Sequence, residues 1–562
     1  MVRLRFEGHR DAAGPLTIGQ RNIAKWLLDA PHAPAAVLAQ SFDVPPGVSL
    51  PDIAACFEVL LCRHEGLRST YRLGDPGSQR VLASGSLPLL VADGPSLTPL
   101  LRARPFDLAA APPVRFGAGV HNGAVVAAAV VCSHIAVDFQ ALAVLAAEFA
   151  EMIRDPAARV AGPPRPQPLD RATLESRPAR ARRMELSLRH WERSLRVAPA
   201  HPYVRARTAP ARGSGACGMS SPAAAAALSH IAARTGASRP SIVLAAFCAL
   251  LSHRTGDDTC RFVTLSANRF ESDLLRYVGT LAQSTFLTVP TGGATFDTLV
   301  GRCFGAVLQA GLHGTYDVYR QHERSSPITA SRGIAPTFEP VFNSVVMDTA
   351  PSAAQDSSGS SGNPAPAAAT ETQWVDMPPT DILLRFDLGG VDGALVARLW
   401  SGDTGRVDRS EVSSLLLALE RLIVTAADGD LSPAAVVAAL GLPPLERPPG
   451  WLLVDHCWID LAEVQSLLDL ALAPAPCRVF TAVDGVPLVA YVAVVPGGPA
   501  TAEEAHQRCL AALPGRHAAM TPRHYVLCAR PPSDVDDPLS WRAAPVVSEG
   551  TGRPVAPALT RA

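Results

Sequence analysis

Lysine is almost missing from this chain: Lys25 is the only one, and every other basic residue that is not histidine is arginine. Amine-based covalent catalysis is thereby removed from nearly the whole protein. Eleven cysteines are scattered without a CxxC pair or any spacing of a metal site. Cys56, Cys132 and Cys248 stand inside apolar runs, where a free thiol acts as a small hydrophobe. A reduced, cytoplasmic protein without a bound metal is expected. Long uninterrupted apolar runs of about 18 residues are also missing, so no membrane span is expected. The opening "MVRLRFEGHRDAAG" lacks the apolar core of a signal peptide. Charge of one sign is not in excess either. The net charge is −1, and no basic stripe is available for nucleic acid or an anionic membrane.

What is present is apolar residue, 48% of a chain of 562. That length exceeds one hydrophobic core and predicts several domains. Three stretches read as linkers: the Pro- and Arg-rich Asp155–Arg183, the low-complexity Pro351–Glu371, and the proline-stiffened Leu440–Gly450. Between them the pattern is mixed α and β. Ser49, Pro51 and Asp52 announce a helix start. "RFGAGV-HNG-AVVAAAVVC" predicts a hairpin turning at Asn122-Gly123, its second strand apolar on both faces. Beyond Asp138, residues Phe139, Leu142, Leu145, Phe149 and Met152 recur at helical spacing. His134 therefore falls on a tight strand-to-helix connection, with Asp138 at the helix N-terminus. Two readings stand side by side: a catalytic imidazole, or a structural histidine beside a helix cap.

The surrounding motifs bear on that choice. "PLTIGQRNIAKWL" (Pro15–Leu27) is similar to an S-x-A-Q-x-x-x-W element, "RHEGLRSTY" (Arg63–Tyr71) to R-H-E-x-L-R-T-x-F, and "SHIAVDF" (Ser133–Phe139) to H-H-x-x-x-D-G. "HWERSL", "ANRFESDLLRYVGTLAQSTFLTV" and "VFNSVVMD" follow in the order of three later elements. In this order the motifs resemble the condensation domain of nonribosomal peptide synthetases, within the acyltransferase superfamily that includes chloramphenicol acetyltransferase. The resemblance covers roughly residues 10 to 435.

It implies an α/β (α+β) architecture of two chloramphenicol-acetyltransferase-like lobes, residues 1–165 and 185–435, in a V around a central tunnel. Carrier proteins would bring phosphopantetheine-bound substrates to a central histidine, here His134, acting as base or positioner for amide, less readily ester, formation. Asp138 matches a structural aspartate salt-bridged to an arginine; Arg269 is the candidate partner, with Arg63 and Arg68 as alternatives. The chain itself would bind no cofactor, and its partners would be acyl or peptidyl carriers, with adenylation enzymes in addition.

Four positions depart from the pattern along the implied tunnel. Ser133 replaces the first histidine. Phe139 replaces a glycine, and its ring either narrows the tunnel or joins the helix core. Gln283 and Ser284 stand where V-N is common. Residues 450–548 resemble a degenerate C-terminal subdomain of adenylation enzymes, a small α+β domain. Its N-G-K region has become "DDPLSW", and no lysine remains to carry adenylation, so amino-acid activation is not expected. In "VDHCW", His456 and Cys457 suggest a turn rather than a metal site. No G-G-x-S carrier segment and no G-x-S-x-G elbow occurs, so a freestanding enzyme is expected. The alternatives are an inactive module that recruits carrier or tailoring proteins, and a CoA-dependent acyltransferase.

Overall fold

The computed structural model describes residues 2–31, 33, 36–160, 166–208, 213–335, 338–346, 369–378, 380, 382–481 and 485–553. Most of the Pro351–Glu371 stretch lies outside these. The chain divides into two compact units. The first comprises residues 1–188, 266–284 and 311–321, and the second 189–265, 285–310 and 322–562.

The first unit is built on a five-stranded sheet. Its order is Arg3–Glu7, Ser84–Asp93, Val114–His121, Ala124–Ser133 and Val37–Phe42. The predicted hairpin forms, with Asn122 and Gly123 both at positive φ (51° and 80°), as a two-residue turn between twisted strands requires. The first residues of the Ala124–Ser133 strand alternate with exposed ones, and only from Ala128 is the strand buried on both faces. There Ala128, Val130 and Cys132 join the main core, while Ala129 and Val131 pack with Leu97 and with Leu101 of the short helix Thr98–Arg102. Ser49 and Asp52 form a reciprocal cap on the helix Leu50–Arg63, as expected.

The Asp155–Arg183 stretch is not a linker. It contains the helix Pro168–Glu175 and the first part of Pro178–Leu195. Proline does not break these helices, because Pro168 and Pro178 occupy first-turn positions, where no amide hydrogen is missed. The arginines there are partners of acids: Arg171 pairs with Glu175 (2.8 Å) and Arg180 with Glu271 (2.6 Å).

The second unit carries a seven-stranded sheet ordered Gln283–Pro290, Thr259–Ser266, Val341–Ser344, Leu384–Gly390, Leu395–Ser401, Ser214–Ser221 and Glu371–Met377. Phe342 and Phe386 stack at 5.3 Å between ring centres, and Phe247 packs against both. Phe247 belongs to the helix Arg239–Thr255, which is apolar nearly all round because almost every side is buried. Among the described residues no single helix is long and apolar enough to cross a membrane.

Residues 450–553 form a four-stranded sheet (Cys477–Phe480, Val489–Ala493, His524–Cys528, Val546–Gly550) and a hairpin, Trp451–Val454 with Cys457–Asp460. They belong to the second compact unit. The Leu440–Gly450 stretch runs along the helix Arg239–Thr255: Leu445 N donates to the Arg254 carbonyl (2.7 Å), and His253 donates to the Leu442 carbonyl (2.5 Å). Arg447 lies over the rings of Trp451 and Trp458 and donates to the Val204 carbonyl.

Candidate functional site

His134 directly follows the Ala124–Ser133 strand, and its amide donates to the Ala36 carbonyl (2.8 Å), continuing the pairing of the edge strand Val37–Phe42. The connection then closes tightly, with Ala136 N donating to the Ser133 carbonyl. Ile135, Ala136 and Val137 are fully buried, which leaves no slack on the C-terminal side of the histidine.

Asp138 ends the connection and does two jobs with one carboxylate. Oδ1 accepts from Ala141 N (2.8 Å), capping the helix Phe139–Arg154, and also from Arg269 Nη2 (2.5 Å). Oδ2 accepts from Leu281 N (2.9 Å). The Asp138 and Arg269 side chains are each 3% exposed. Arg269 also donates to the carbonyls of Leu274, Tyr277 and Gly279. These bonds offset the desolvation of the buried pair, although Arg269 Nε is buried without a hydrogen bond. Asn268, at φ 54°, sets the arginine up: its side-chain amide donates to the Leu281 and Gly314 carbonyls.

The His134 imidazole packs edge-on to Trp26, ring centres 6.1 Å apart. Trp26 comes from the helix Ile18–Asp29, whose start is closed by a Thr17–Gln20 capping box. Gly19 in that helix lies so close to the Thr280 carbonyl that a Cβ would meet it at 2.2 Å. Sequence reasoning assigned Trp26 no role, although the tryptophan of the opening element was the available signal. Burial pushes the imidazole below the ordinary histidine range. Its own carbonyl, the Asp138 charge and the Val137 carbonyl pull the other way and do not prevail. Nδ1 is shut off from solvent without a well-formed hydrogen bond. At neutral pH the ring is therefore uncharged and has a lone pair to offer.

The other predicted residues divide. Ser133, 3% exposed, lines a cavity of about 730 Å³ with Leu27, Tyr71, Phe106, Leu108 and Arg72. Phe139 does not join the helix core. It is 52% exposed, whereas Leu142, Leu145, Phe149 and Met152 are buried. It is the first residue of its helix, one turn before the buried run begins. Gln283 is buried and ties itself to Tyr316, donating to its carbonyl (2.9 Å). Neither it nor Ser284 bonds to His134 or Asp138 among the described residues. Arg63 and Arg68 do not support Asp138. Arg63 pairs with Glu148 (3.2 Å) and the carbonyls of Ala158 and Val160. Arg68 donates to the Leu82 carbonyl (2.5 Å). The R-H-E element is thus a structural knot, with His64 on Glu148 and Glu65 on Arg10. His456 stands in the turn of its hairpin at φ 64°, and Cys457 is buried in the following strand.

Comparison with known proteins gives the family. The family model for the condensation domain matches residues 36–374. The chain belongs to the condensation-domain family. Its fold is similar to that of SgcC5 from Streptomyces globisporus, at 18% identity, covering 74% of this chain and 99% of that one with a TM-score of 0.54. It is also similar to the first condensation domain of the calcium-dependent antibiotic synthetase in complex with a substrate analogue (15% identity, 76% and 98% covered, TM-score 0.56). A third similar structure is the teicoplanin-biosynthesis X-domain in its complex with OxyB (20% identity, 75% and 94% covered, TM-score 0.51). No curated protein matches the sequence. The mixed α/β fold is that of condensation domains.

Proposed function

We propose that this protein condenses an acyl or aminoacyl thioester, presented on the phosphopantetheine arm of a carrier protein, with an amine acceptor, and less readily with a hydroxyl. The observation that carries this reading is His134: an imidazole at a strand end, kept towards its uncharged form by burial, on a tight connection whose far end the Asp138–Arg269 pair fixes. With Nδ1 sheltered, Nε2 is the nitrogen that meets the acceptor. It accepts a proton as the amine attacks the thioester carbonyl, and the tetrahedral intermediate collapses by breaking the C–S bond. The proton then returns to the departing thiolate, leaving amide and free carrier thiol. Placement of two tethered substrates contributes alongside proton transfer. The cavity against Ser133 has room for an acyl group.

A second reading is favoured by Phe139, whose exposed ring replaces the usual glycine beside the site. In that reading the module recruits carrier or tailoring proteins without chemistry, and the X-domain bound to OxyB is a precedent for a protein partner. Intact-mass analysis of loaded donor and acceptor carriers incubated with the protein separates the two. Transfer of the acyl group, lost by at least about 100-fold in His134→Ala with an unchanged melting temperature, is the expected result. Its rate should persist below the ordinary histidine range before falling in acid, since only the neutral ring accepts a proton. Transfer unaffected by His134→Ala would end the catalytic assignment. Replacing the donor carrier with a CoA thioester tests the remaining alternative.

A further inference from the structure

Away from His134, in the second unit, three side chains that the proposed chemistry does not use converge. His201, Glu339 and His517 each offer a donor atom, and these atoms lie within 4.8 Å of one another. His201 Nδ1 is 3.1 Å from Glu339 Oε1, and the His201 and His517 rings stand perpendicular with centres 4.8 Å apart. All three are buried, at 8%, 2% and 8% exposure.

We infer that His201, Glu339 and His517 form a site for a divalent transition metal, Zn²⁺ by its donor set, which fastens residues 450–553 to the sheet of the second unit.

Two imidazoles and one carboxylate are donors that zinc takes in tetrahedral sites, with a fourth position left to water or another ligand. Bonds of about 2.0–2.1 Å put tetrahedral donor atoms about 3.4 Å apart. The His201–Glu339 pair already stands near that spacing, and His517 needs to close by an ångström or so. Glu339 is prepared for the role: Oε2 accepts from Leu384 N (2.7 Å), which leaves Oε1 to the cluster, and its own amide donates to the Ala200 carbonyl (3.2 Å). Such outer bonds fix the ligand oxygen before the ion arrives. A buried carboxylate between imidazoles also needs positive charge, which a dication supplies. The fourth position has a source, since His517 lines a cavity of about 580 Å³ with Asp403, Arg406, Glu463, Ser466 and Arg516.

The three ligands come from separate parts of the chain. His201 follows the helix Pro178–Leu195, Glu339 precedes the strand Val341–Ser344, and His517 lies between the helix Ala502–Ala511 and the strand His524–Cys528. A bound ion would close long loops and join the C-terminal segment to the body of the unit, where it would stabilise the folded state by mass action.

The test uses the full chain, purified without a polyhistidine tag, stripped by a chelator and titrated with Zn²⁺ against a competing indicator. One equivalent of zinc per chain is expected, with a rise in melting temperature on binding. Glu339→Gln and His517→Gln should each weaken binding at least tenfold and abolish the rise. His517→Gln, at the cavity edge, serves if the Glu339 variant does not fold. Co²⁺ in place of Zn²⁺ should give the visible absorption of a four-coordinate site in the parent and not in the His517 variant. No stoichiometric zinc, or zinc bound equally well by both variants, overturns the proposal and leaves a His201–Glu339 hydrogen-bonded pair packed against His517.

Discussion

Each compact unit holds an arginine that clamps a distant segment in the same way, and the two clamps serve different ends. In the first unit Arg269 joins a carboxylate, Asp138, and three backbone carbonyls. In the second, Arg332 pairs with the Asp455 carboxylate (2.8 Å) and donates to the carbonyls of Asp455, Leu195 and Ala198. Both guanidiniums are buried, and both spread several donors over fixed acceptors, a task for which a lysine's compact ammonium is poorly shaped. The first clamp ends four residues from His134 and fixes the far end of the tight connection that carries it. The second ends in the hairpin turn at Asp455 and, with Arg523 on the same carboxylate (3.0 Å), holds the C-terminal segment. Identical physical chemistry therefore says nothing about function until the neighbour of the clamped residue is known.

Breaking the first clamp should have the largest effect. Asp138→Ala or Arg269→Ala leaves a buried charge without its partner, at a cost of about 3–5 kcal/mol. Both stability, by denaturant melt, and acyl transfer should fall together. The double variant should be less destabilised than the sum of the singles, because it strands no charge. Strict additivity would show that the pair is not coupled.

Breaking the second clamp should separate these effects. Arg332→Ala takes one of two arginines from the Asp455 carboxylate and strips the buried Leu195 and Ala198 carbonyls of their donor, a loss of roughly 2–4 kcal/mol. The C-terminal segment should become open to limited proteolysis at Leu440–Gly450 while acyl transfer per folded molecule changes little. Loss of transfer in proportion to cleavage would give the segment a part in the chemistry.

Acid offers a gentler way to loosen the same junction. His506 donates to the Ala330 carbonyl, and its pKa is lowered to about 4 by burial and by the charge of Arg553, against the pull of that carbonyl. The unfolded chain takes up this proton first, near the ordinary value of 6.5. Stability contributed by the neutral ring is thus present above that value and is lost as pH falls from about 6.5 towards about 4. The melting temperature of His506→Gln should fall less steeply across this window than that of the parent.

The smallest effect is expected beside the first clamp. Phe139→Gly should cost about 1 kcal/mol as a first-turn glycine, and should lower the acceptor KM by widening the approach to His134. An unchanged acceptor KM would mean that the exposed ring stands clear of the acceptor.

Much of the first clamp was legible because it is local. The Asn122-Gly123 turn, the apolar strand and the helical spacing after Asp138 place His134 within a few residues of chain, where backbone preference and side-chain period are strong guides. Arg269 was found only through motif order, since nothing local couples it to Asp138. Phe139 stayed open between tunnel and helix core, because helical spacing alone does not show where a buried face begins; its 52% exposure excludes the core. The helix Pro168–Glu175 was hidden because composition marks proline as a breaker, whereas at a helix start it is compatible.

By itself, then, the sequence determined the elements around His134, the aspartate cap and, by the order of its motifs, the family. Those depend on interactions between near neighbours and on patterns that repeat. Tertiary structure alone decided that Trp26 meets His134, that Arg332 holds Asp455, and that His201, Glu339 and His517 converge. Such meetings join residues far apart along the chain, and only the packing of buried apolar surface, which has no local period to read, brings them into contact.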